Sequence, residues 1–162
     1  MIDQGGEGAV VGRPARNWPL LLGLLVLAAC WLGPLPAMSR TAFSAHMLLH
    51  LGVVALAAPL LAIGLARTGL RVDGLRHSSA AIVLIFAAEM AVVWGWHAPP
   101  LHEAAALNVW AFVAQQASFL AVGLGVWLLG FASDSRRGLA AAMFGFFMTF
   151  VHMTMLLSLI HI

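Results

Sequence analysis

Charge is what this chain has least of. Only 9% of its 162 residues are charged, and 62% are hydrophobic; a soluble domain carries about 25% charged residues. With a mean hydropathy of +0.98, this excludes a soluble globular domain and implies an integral membrane protein built as one bundle. Lysine and tyrosine are absent, so all eight basic residues are arginine. The arginines are scattered over short polar segments, and the pI near 10.0 is therefore no sign of a nucleic-acid partner. The single Cys30 lies inside an apolar run. One cysteine excludes an intrachain disulfide and a thiolate metal site. A cleavable signal pattern is also missing: no A-x-A site follows the first apolar run ahead of a soluble domain, so that run is expected to be retained. There is no nucleophile–base set, phosphate loop or nucleotide motif, which points away from an enzyme.

What the chain does have is apolar length. After a Gly-rich polar tail, residues 1–17, expected to be mobile and cytoplasmic, five runs cover about residues 18–35, 41–66, 79–96, 108–131 and 138–162. Each fits a helix crossing a hydrocarbon core about 30 Å thick. The expected fold is all-α: one polytopic transmembrane domain, residues 18–162, of about five helices in a lipid bilayer. Pro34 and Pro36 are expected to end the first helix. Pro59 is expected to kink the second, which membrane helices tolerate. Residues 97–107, with Pro99 and Pro100, read as a loop.

Alternating the runs across the membrane puts Arg13, Arg16, Arg67, Arg71, Arg76, Arg136 and Arg137 on one side and only Arg40 on the other. The positive-inside rule makes the first side cytoplasmic, with the N-terminus there. At about 1.5 Å per residue, His46 then lies about 7 Å below the outer surface, His50 about 13 Å, Glu89 and Gln116 about 12 Å, and His152 about 15 Å. His97 and His102 fall in the outer loop. Polar groups at such depth are costly, and they usually line a site or a pathway.

The centre of this sorting is Ser44-Ala45-His46-Met47-Leu48-Leu49-His50. Imidazoles at i and i+4 share a helix face and can converge on one metal. Met47 beside them, and His152-Met153 on the fifth run, add soft donors. A mixed His/Met set suits Cu(I) better than Zn(II). The same histidines could instead hold the bundle together by hydrogen bonds to Glu89, Gln116 or Ser44. His50 and His152 could also be the axial ligands of a haem. Glu89 could carry a proton or orient a metal-bound imidazole. His97 and His102 stand at the mouth of such a site. Trp94, Trp96 and Trp110 read as an interfacial belt. The other methionines read as packing filler, and Gly123 and Gly125 as points of close helix approach.

Taken in order, Phe43-Ser44-Ala45-His46-Met47-Leu48-Leu49-His50, Trp96-His97-Ala98-Pro99-Pro100-Leu101, Gln116-Ala117-Ser118-Phe119 and His152-Met153-Thr154 resemble the CtaG-like cytochrome c oxidase assembly factors, the polytopic membrane type. The resemblance covers about residues 18–157. It implies a non-enzymatic assembly factor of the bacterial inner membrane that binds copper on the outer (periplasmic) side and hands it to oxidase subunits. Carried onto this chain, the metal ligands would be His46, His50 and His152 with Met47 and Met153, and Glu89, Gln116, His97 and His102 would lie around them. Alternatives are a haem-binding electron-transfer protein and a metal-free scaffold. Two departures stand out. The family often has Glu and His where Gln115 and Gln116 stand here. Its chains also usually run further at the C-terminus, and the tail Ser158-Leu159-Ile160-His161-Ile162 resembles translated adapter sequence, so a truncated C-terminus is expected and His161 is given no role.

Overall fold

The computed structural model describes residues 17–69 and 79–132; the fifth apolar run lies outside the described residues. Within them the chain is helical, with no strand. Helix α1 is Trp18–Leu32 and α2 is the single turn Leu35–Met38. Helix α3 is Phe43–Arg67, α4 is Ser79–His97, α5 is Pro99–Leu107 and α6 is Val109–Ala132. Three of these are long and apolar enough to cross a membrane: Phe43–Arg67, Ala80–His97 and Val109–Phe131; Trp18–Leu32 is a shorter apolar helix. Apolar side chains face outward, with Leu25 65%, Leu84 69% and Trp110 77% exposed. His50, Gln115 and Glu89 are 0%, 1% and 3% exposed. That inversion is the signature of a bundle whose outer solvent is lipid.

The first helix ends earlier than the prolines alone suggest. Gly33 is extended, φ −79° and ψ −168°, at the C-cap. The residue before a proline is disfavoured in the α region, so Pro34 acts one residue upstream. Helix α1 then packs antiparallel on α3 through small residues. A Cβ on Gly64 would meet Leu20 Cα at 2.7 Å, one on Gly23 would meet the Leu61 nitrogen at 2.9 Å, and one on Gly52 would meet Cys30 Sγ at 2.6 Å. The Asn17 side-chain amide also donates to the Gly64 carbonyl at 2.8 Å.

Pro59 acts through a change of helix type. Residues Gly52–Ala57 form a π-helical segment, closed by the Ala58 amide donating to the Val53 carbonyl. In that i→i−5 register the next donor would be residue 59. Proline has no N–H, so Val54 O finds no backbone donor there. Trp127 Nε1 on α6 donates to it instead, at 3.0 Å. The α3 helix ends at Thr68 and at Gly69, whose φ of +87° suits a glycine just past a C-cap.

Residues 99–107 are a helix, where the two prolines suggested a loop. Ala98 is extended, φ −65° and ψ 136°, and the prolines occupy the first turn of α5. In that turn their missing N–H groups would be unpaired anyway. Asn108 then starts α6, its Oδ1 accepting from the Trp110 amide at 2.8 Å and the Ala111 amide at 3.3 Å.

Helix α6 runs parallel to α3 and antiparallel to α4. Gly123 sits against Val54 and Ala58, and Gly125 against Ile85, as the small residues of a close approach should. Trp96 near the end of α4 bonds Ser118 in the first half of α6. The start of α3, the end of α4, all of α5 and the start of α6 therefore meet at one end of the bundle.

Candidate metal centre

That end holds an imidazole cluster. One helical turn separates His46 and His50, and their Nε2 atoms lie 2.9 Å apart with ring planes at 89°. His97, the last residue of α4, brings its ring to 5.9 Å from His50 and 6.2 Å from His46, between centroids. The His97 Nδ1–H donates to the Val93 carbonyl at 2.6 Å. A carbonyl only accepts, so this bond fixes the proton on Nδ1 and leaves the lone pair on Nε2. His97 Nε2 and His50 Nδ1 are both buried without a hydrogen-bond partner, a cost of about 1–3 kcal/mol each in a protein interior. His102 on α5 stands beside His46, at 5.2 Å between ring centroids. Phe119, 1% exposed, closes the far side 4.4 Å from the His50 ring.

One ligand nitrogen from each of His46, His50 and His97 lies within 4.8 Å of the others. Nitrogens sharing a metal at about 2.0–2.1 Å are about 3.3 Å apart in tetrahedral geometry and at most about 4.2 Å apart. Against the tetrahedral spacing the closest pair is a few tenths too near and the widest up to about 1.5 Å too far, so the rings would have to rotate and draw together to share one ion. The donor set is neutral imidazole, which binds zinc and copper well.

A hydrogen-bonded chain holds α4 in place. Trp96 Nε1 donates to Ser118 Oγ at 2.8 Å, and Ser118 Oγ–H donates to the Gln115 carbonyl at 2.8 Å. Trp96 therefore departs from the expected belt, whereas Trp94 and Trp110 are 54% and 77% exposed. Its neighbour His97, expected at the mouth of the site, is one of the three clustered imidazoles. The signal was in the sequence as adjacency: Trp96-His97 on one run and Ser118-Phe119 on another. Met47 is buried on α3 between the paired histidines. Glu89 is buried two turns before His97 on the same helix. Gln116 is buried, its Nε2 donating to Gln115 Oε1 at 3.4 Å. His152 and Met153 lie outside the described residues.

Comparison with protein families gives a match to the cytochrome c oxidase caa3 assembly factors over residues 8–161. The chain belongs to the caa3 assembly factor family. Curated proteins and solved structures gave no match. The caa3 assembly factor match spans every described helix and the whole imidazole cluster.

Proposed function

We propose that this caa3 assembly factor carries Cu(I) as cargo at the outer, periplasmic end of its bundle in the bacterial inner membrane, and passes it to an oxidase subunit without catalysing a reaction. The observation that carries this reading is the convergence of His46, His50 and His97 from two helices, with two buried ring nitrogens lacking partners. Neutral imidazoles are exchangeable ligands, which suits handover better than a thiolate cage. Met47, His152 and Met153 are the further donors in this proposal. Alternating the apolar runs of the sequence assigns seven of eight arginines to the side opposite the cluster, which supports an outward placement in this reading. The haem alternative, through His50 and His152, has less in its favour. Phe119 and the neighbouring imidazoles crowd the His50 ring at 4.3–4.4 Å, leaving room for an ion rather than a macrocycle.

The test is copper content after anaerobic Cu(I) loading of the purified protein, wild type beside His46→Ala/His50→Ala and His97→Ala. About one copper per chain is expected in the wild type, with most of it lost in both variants. Oxidase maturation in cells carrying those variants should fall in parallel. Copper retained at the wild-type level in both would rule the site out.

A further inference from the structure

A pocket of about 60 Å³ opens beside the cluster, walled by Arg40, Ser39, His46, His102, Ala106 and Gln115 among others. His46 belongs to both the pocket and the cluster. We propose that the pocket is a small-anion site: Arg40 and the Gln115 amide hold a chloride ion or a formate-sized carboxylate against the edge of His46.

Three observations carry this. The charged side chain in the wall is Arg40, and no acidic residue lines the pocket among the described residues. Gln116 Nε2 donates to the Oε1 of Gln115 at 3.4 Å, and Gln115 is itself 1% exposed. Its Nε2 is left as a buried donor without a partner, and a bound acceptor would remove that cost. The Ser39 hydroxyl, by contrast, already donates to the Pro36 carbonyl at 2.9 Å. The size also fits: a water needs roughly 10–15 Å³ of such space, so the pocket admits a small anion with a few waters and not a large organic one.

The site has a use next to the imidazoles. A cation held by three neutral ligands in a low-dielectric interior carries uncompensated charge. An anion across the His46 ring offsets it. By reciprocity the anion tightens the metal and the metal tightens the anion by the same factor. This coupling rests on the copper reading; anion binding itself does not.

The experiment is chloride NMR line broadening on the metal-free full chain in a neutral detergent, with formate as competitor. Saturable broadening that formate displaces is expected in the wild type. Arg40→Gln should weaken it roughly tenfold or more, the loss of one charge-assisted hydrogen bond. Ala106→Leu, an exposed position that fills the pocket, should abolish it while Arg40 remains. No saturable broadening, or broadening that survives both variants, overturns the proposal. Displacement by phosphatidylglycerol but not by formate assigns the position to a lipid headgroup and overturns it as well. Because no copper is present, these outcomes are independent of whether the cluster binds metal. Copper affinity that rises with chloride in the wild type and not in Arg40→Gln would then establish the coupling.

Discussion

At the scale of single residues, Trp127 takes on a task that water performs in soluble proteins. Pro59 leaves Val54 O without a backbone donor, and the indole N–H of Trp127 reaches it at 3.0 Å. Replacing Trp127 by Phe keeps the ring and removes the donor. Lipid offers no substitute, so the variant should lose about 0.5–1.5 kcal/mol, read as a lower midpoint of thermal unfolding in detergent. An unchanged midpoint would mean that another donor serves the carbonyl. The sequence displays Pro59 as a break, but its remedy lies 73 residues beyond Val54 in the chain, where no local pattern marks it. His46 and His50 are different: their spacing of four is visible because both donors sit on one helix. His97 was visible only as a histidine inside an expected loop, whereas it is the last residue of α4. Its place in the cluster depends on the Trp96–Ser118 bond and on how α4 meets α3, both of them tertiary facts.

At the scale of elements, helices meet through residues too small to keep them apart. Gly64 shows this most sharply, since its added Cβ would strike the Leu20 backbone at 2.7 Å. Backbone cannot step aside as a flexible side chain can, so Gly64→Ala should destabilise by about 1–3 kcal/mol. Gly95 on α4 makes the contrast: an added Cβ meets nothing closer than Leu101 Cδ1 at 4.0 Å. There Gly95→Ala should be neutral or stabilising by up to about 1 kcal/mol, because alanine is the better helix former. Thermal unfolding of the pair decides it, and equal losses in both would contradict the packing argument. The long apolar helices were legible from composition and length. Helix α5 was not, because Pro99 and Pro100 signal a helix start as readily as a break. Only the residues after them, Leu101 to Leu107, tip the balance.

At the scale of the whole molecule, the buried imidazoles gather at one end of the described helices. Around the described helices, Arg67 at the far end of α3 lies over the Trp18 ring at 5.7 Å, and Arg40 stands at the cluster end. In a Cys30→Ser background, Thr41→Cys should react with a membrane-impermeant thiol reagent in intact cells. Thr68→Cys should react only after the membrane is opened. The reverse pattern would invert the orientation and place the imidazoles on the cytoplasmic side.

The π-helical turn makes α3 two rotors on one shaft. The half before Gly52 aims His46 and His50 at His97, and the half after Ala57 aims Leu61 and Gly64 at α1. The extra residue in the wide turn sets the angle between them. Removing one residue from that turn would let the ladder close as a continuous α-helix, turning one half against the other by about 100°. The bundle seam would keep its grip while the two imidazoles swung away from the third. A one-residue difference in length here changes what the helix points at, although it leaves the apolar run long enough to span.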